Sequence, residues 1–167
     1  MGGSADEAFS DFVATHSAAL MRLAYLLTGR RSDAEDAVQN SLLKVYLAWS
    51  RIERVEAIEA YARKTLVREV STVRRGPLRR LFVTDRVPET AVVCEADAVE
   101  TKDVLHAALL QLPARQRAVI VLRYFGDLTE QQTADVLGVR VGTVKQHAAR
   151  GLARLRDELS SEAQEMP

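Results

Sequence analysis

The sequence predicts an all-α protein: two small helical bundles joined by a flexible acidic tether, the second bundle containing a helix-turn-helix. Three observations predict it. Apolar residues recur at three- and four-residue steps through most of the chain, and no stretch reads as a convincing strand. Residues 77–101 lose that period and carry Pro77, Pro88 and an acidic excess. Near the C-terminus, two helical stretches flank Gly138 with helix-turn-helix spacing. The expected boundaries are a first domain over residues 5–76, a linker over 77–101 and a second domain over 102–160.

Composition narrows the function classes. The 167 residues are 47% hydrophobic and 28% charged, which suits a folded chain rather than a disordered one. The lone Cys94 cannot close an internal disulfide, and no Cys/His cluster offers four metal ligands, so neither metal nor other cofactor is expected. Apolar runs fall far below the roughly 20 residues of a membrane span. The small, acidic stretch Met1 to Asp11 lacks the basic-then-apolar layout of a signal peptide, so a cytoplasmic location is expected. His16, His106 and His147 lie in separate segments, without a nucleophile motif or a Gly-rich phosphate loop. No enzyme is expected and no catalytic residue is assigned.

Each helix has its own signal. Phe9, Phe12, Val13, His16, Leu20, Leu23 and Leu27 form one apolar face, ended by Gly29; His16 is expected as a packed or rim residue. Ser32 with Glu35 three residues on predicts a capping box that opens a second helix, with Val38, Leu42, Val45 and Trp49 inward. A third helix runs from about Val55 to Arg75, with Val55, Ile58, Ala62, Leu66, Val70 and Val73 inward. Lys64, Arg68, Ser71 and Arg75 form a separate solvent stripe before Gly76 and Pro77 stop the helix. After the tether, Val104, Ala107, Ala108 and Leu110 begin a helix that Leu112-Pro113 breaks. Pro113 is expected as the first residue of the next helix, which carries Val119, Ile120, Leu122 and Tyr124 up to Gly126. Thr129 with Gln132 predicts another capping box and a short helix with Ala134, Val136 and Leu137; a last helix runs from about Arg140 to Leu159.

The formal net charge is zero, but the charges are sorted along the chain. Arg63 to Arg80 holds seven cations against Glu69, and Asp85 to Asp103 holds six acids against Arg86 and Lys102. Arg140 to Arg156 holds five cations and no acid. Two basic blocks separated by an acidic stretch point to two surfaces that meet a polyanion. On the last helix Val144, Ala148, Leu152 and Leu155 point inward, which leaves Thr143, Gln146, His147 and Arg150 outward, flanked by Arg140 and Lys145. Those residue types read base edges or hold phosphates.

Here the residues match a family. LPARQRAVIVLRYFGDLTEQQTADVLGVRVGTVKQHAARGLARLR, Leu112 to Arg156, closely resembles the promoter −35-binding region of extracytoplasmic-function (ECF) sigma factors. SDAEDAVQNSLLKVYLAW, Ser32 to Trp49, resembles the core-polymerase-binding helix of the same family, and the whole is similar to its minimal two-domain, actinobacterial-type members. The resemblance implies a non-enzymatic initiation factor that binds core RNA polymerase at the large-subunit clamp helices and flap. It would also bind promoter DNA, both duplex and single-stranded.

By that analogy Asp36, Gln39 and Asn40 face the clamp helices; helical spacing independently groups them with Leu43, away from Val38, Leu42 and Val45. The −35 duplex would fall to Arg140, Thr143, Lys145, Gln146, His147 and Arg150. The −10 element, opened into single strands, would meet Tyr61, Arg63, Lys64, Arg68, Arg74 and Arg75 beside the connection Ser50 to Glu56, while Trp49 belongs to the core. An anti-sigma factor is a possible further partner.

The chain departs from the family pattern at Val67 and Arg68, where an Asn is common. It departs again at Arg140, in place of a capping Ser or Pro, and at Gln146 and His147, in place of Ser and Arg. Two rival readings stay open: a polymerase-independent helix-turn-helix regulator, and a sigma-like decoy that binds an anti-sigma protein without DNA.

Overall fold

The computed structural model describes residues 3–52, 54–73 and 104–165. Among these the chain is helical, with no strand. The order is α1 (Gly3–Thr28), α2 (Arg31–Ala48), a 3₁₀ turn (Trp49–Arg51), α3 (Val55–Val73), α4 (Val104–Gln111), α5 (Ala114–Ile120), α6 (Glu130–Leu137) and α7 (Val141–Glu165). A single π-turn, Val121–Phe125, continues α5. The linker, with Cys94, lies outside the described residues, as do Arg74 and Arg75.

The first three helices form the N-terminal bundle. Phe12, Leu20, Leu23 and Leu27 of α1 are buried against Val38 and Val45 of α2 and Ile58, Ala62, Leu66 and Val70 of α3, the faces that the three- and four-residue spacing predicts. Gly29 closes α1 in the left-handed region (φ 74°), its N–H on the Tyr25 carbonyl. Trp49 packs edge-on to Phe9 and Phe12, and His16 lies 4.5 Å from the Phe12 ring with Nε2 3.4 Å from Glu59 Oε1, a rim position.

Three local expectations are corrected, at Ser32, Ser71 and Pro113. The Ser32 capping box does not form: α2 starts at Arg31 behind an extended Arg30, and Glu35 pairs with Arg31 instead (2.8 Å). The Gly29 turn delivers the chain into α2 one residue before Ser32 can cap it. Ser71 is buried, its hydroxyl donating to the Arg68 carbonyl (2.6 Å), so it leaves the expected solvent stripe of α3. Pro113 is the N-cap of α5 rather than its first helical residue. At the start of α4 Val104 and Leu105 are exposed, and His106, Ala108, Leu109 and Leu110 face inward.

Helices α4 to α7 form the second bundle, with Leu109, Leu112, Ile120 and Leu155 in one cluster and Ala134, Val136, Leu137 and Val144 at the α6–α7 junction. The two bundles do not stand apart. α1 packs on α4, α5 and the π-turn, α3 packs on α6, and one continuous apolar core runs from Phe12 through Val70 into Ala118, Leu128 and Val144. Sequence periodicity marks two small cores of marginal size; in the structure the larger core cluster spans both bundles, beside a smaller one within the second.

Candidate nucleic-acid interface

The helix-turn-helix is built from local rules. The Thr129 hydroxyl accepts from the Gln132 N–H (3.1 Å) and the Gln132 side chain accepts from the Thr129 N–H (2.8 Å), which completes the predicted capping box of α6. Gly138 ends α6 at φ 67°, and the Val139 N–H returns to the Ala134 carbonyl (3.1 Å). The Arg140 carbonyl then receives the N–H groups of Thr143 and Val144 and starts α7. Buried Ala134 and Val144 let the two helices meet closely.

On α7 the predicted face is displayed. Arg140, Lys145, Gln146 and Arg150 are exposed; Thr143 and His147 are half-buried, so the histidine is less freely presented than its spacing suggests. Arg154 and Arg156, both exposed, complete the acid-free stretch of α7 that ends before Asp157. Spacing alone did not single out one residue that bears on this face. Glu130, in the first turn of α6, lies 3.7 Å from Lys145 Nζ and 4.0 Å from Arg123 Nη2, and Arg123 Nη1 donates to the Leu128 carbonyl (2.7 Å). An acid thus sits against the recognition helix, held by tertiary contact.

The α3 residues divide. Arg68 is exposed, whereas Tyr61, Arg63 and Lys64 are half-buried. Arg63 Nη1 lies 3.5 Å from Glu59, and both line a cleft of about 190 Å³ with His16, Phe125 and Asp127. Buried Glu69, which offsets the basic run in sequence, forms an ion pair with Lys44 of α2. The described candidates therefore form no single exposed stripe.

Asp36, Gln39, Asn40 and Leu43 are all exposed on α2, together as the spacing predicts. The apolar surface continues at Leu47 (63% exposed; Leu43 is 57%) and Tyr46, three and four residues beyond Leu43, a signal the same spacing rule carried. Tyr46 stacks edge-on to Phe9 (5.0 Å) and its hydroxyl donates to Asp6 Oδ1 (3.2 Å); that hydrogen bond raises the phenol's pKa above its ordinary value. Among the described residues no group of three His, Cys, Asp or Glu could hold a metal ion, and no helix is long and apolar enough to cross a membrane.

Comparisons with known proteins bear on the family and the fold. Residues 12–76 match the family model Sigma-70 region 2, and residues 102–155 match Sigma-70, region 4. The chain is 32% identical over 151 residues to the RNA polymerase sigma-E factor of Streptomyces coelicolor, covering 90% of this chain and 85% of that protein. It is 32% identical over 151 residues to the ECF RNA polymerase sigma factor SigM of Mycobacterium tuberculosis, covering 89% and 75%. In fold it is similar to the sigma factor RpoE of Bartonella quintana, solved with the anti-sigma factor NepR: the TM-score is 0.72 at 24% identity, over 92% of this chain and 98% of that one. Both regions are matched in chain order and relatives of this identity run nearly end to end, so the chain belongs to the extracytoplasmic-function sigma factors of the sigma-70 family.

Proposed function

We propose that this chain docks on core RNA polymerase through the α2 surface and directs initiation at particular promoters, α7 reading a −35 duplex and α3 capturing the opened −10 strand. The observation that carries the reading is the capped helix-turn-helix whose second helix exposes Arg140, Lys145, Gln146 and Arg150 without an acid of its own through Arg156. Arg and Gln supply donors for guanine and adenine edges, and the remaining cations hold phosphates. On α2 the charged and amide groups Asp36, Gln39 and Asn40 border apolar Leu43 and Leu47, the mixed character of a specific protein interface. The chemistry of transcript synthesis belongs to the polymerase.

Purified core polymerase, this chain and a promoter library test the reading. Transcripts that start at a shared pair of spaced elements are expected. Their absence at low salt with every promoter would reject it. The neighbour solved with NepR supports a second expectation, that an anti-sigma factor holds this chain in the cell. Recovery of the chain from its native cell with a stoichiometric partner checks that.

A further inference from the structure

Resting on the reading that α3 captures the opened −10 strand, we infer that His16 is a positioning residue for that capture: through the Glu59 carboxylate it sets how freely Arg63 meets the strand. The three groups come from two packed helices of the N-terminal bundle, His16 from α1 and Glu59 and Arg63 from α3, and all three are half-buried. Glu59 is the shared member. Its Oε1 lies 3.4 Å from His16 Nε2, and its Oε2 accepts from Arg63 Nη1 at 3.5 Å. The two oxygens of one carboxylate thus face two different partners. The His16 ring stacks on Phe12 with centroids 4.5 Å apart, which limits how far Nε2 can swing from the carboxylate.

Histidine is the side chain that ordinarily changes charge between about pH 5 and 8. While neutral, His16 leaves the negative charge of Glu59 to Arg63, and the three groups sum to zero. Once protonated, its Nε2–H donates a charge-assisted hydrogen bond to Oε1, and the sum becomes plus one. The hold of Glu59 on Arg63 weakens by that competition, and a strand phosphate meets a more positive α3. The other charged groups on the cleft around His16 are Arg22 of α1 and Asp127, which follows the π-turn. Those two oppose each other in sign, so the step of one charge comes from the histidine.

The test uses holoenzyme built from core polymerase and the full chain. Its probe is a fluorescent single strand carrying the −10 element that this holoenzyme selects from a promoter library. With no −35 element in the probe, His147 of α7 does not enter. The parent should bind the strand about two- to fivefold tighter at about pH 5.5 than at about pH 8. Glu59→Gln frees Arg63 at both pH values and should bind at the tighter level throughout. His16→Gln leaves the carboxylate to Arg63 and should stay at the weaker level throughout. Should His16→Gln disturb the fold, Glu59→Gln decides alone, because it keeps the histidine and its stack on Phe12. A parent ratio below about 1.5, or an equal ratio in parent and Glu59→Gln, overturns the inference. Strand binding absent from every holoenzyme would refute the promoter reading instead. The Arg63 Nε–H signal in nuclear magnetic resonance of the free chain would still judge the relay. It should move between the two pH values in the parent and stay in both variants; a signal that stays in the parent, or moves equally in all three, overturns the role of His16.

Discussion

Glu130→Gln should make the protein bind duplex DNA more tightly, because it removes a carboxylate that pairs with Lys145 of the recognition helix. The Glu130 carboxylate lies 3.7 Å from Lys145 Nζ, and the two side chains are 38% and 62% exposed. Unscreened, charges at that distance attract by about 1 kcal/mol in water. An exposed pair keeps about 0.2–1 kcal/mol of this. Losing an acid from the first turn of α6 costs a further 0.3–1 kcal/mol or about that, so stability should fall by less than about 2 kcal/mol. On DNA the sign reverses. Lys145 released from its acid offers full charge to a phosphate, a gain of up to about fivefold in affinity, and the slope of log affinity against log salt steepens by up to about 0.9. Fluorescence anisotropy on a −35 duplex between low and physiological salt reads both quantities. Lys145→Ala and the double variant close the cycle: in the Lys145→Ala background the gain should vanish. An equal gain in both backgrounds would show that Glu130 acts through the general field, and no gain in either would refute the account.

Three more outcomes follow from the same structure. Gln116 is 1% exposed and neither amide atom has a protein hydrogen-bond partner, so Gln116→Met should raise stability to urea by about 1–3 kcal/mol. Leu43→Asp with Leu47→Asp should abolish capture of core polymerase yet leave the melting temperature within about 2 °C, because both side chains already face water. The Tyr46 phenol should ionise above the ordinary tyrosine range in ultraviolet titration, and Asp6→Asn should bring it back. With the folded pKa raised, the contribution of that contact is whole at neutral pH and is lost only as pH rises through the phenol's folded pKa.

What the sequence made legible was whatever a local rule decides. Thr129 and Gln132 cap α6 as their spacing predicts, and Gly138 takes the left-handed turn that its position requires. Ser32 and Glu35 carry the same signature and fail. The difference lies upstream, in the Gly29 turn that makes Arg30 the cap and in Arg31, which takes the glutamate. A capping box read from sequence assumes the entry angle of the chain, and that angle is set by what precedes it. The α2 surface was legible for the opposite reason: an exposed face needs no partner, so periodicity alone defines it.

Periodicity says that a side chain turns inward but not which body it turns toward. Leu26, Leu110 and Phe125 read equally well as members of their own bundles, yet Leu110 fills the notch at Gly29 and Leu26 and Phe125 pack against both clusters. Charge suffers the same ambiguity. Seven cations in the run from Arg63 read as one electropositive surface, until Glu59 draws Arg63 in and Glu69 turns inside to meet Lys44. A basic run is therefore an upper bound on an electropositive face, because burial of each cation is decided by elements far away in sequence. On α7 Glu130 draws Lys145 toward α6, and on α3 Glu59 draws Arg63 back along its own helix, so neither run presents all its cations outward.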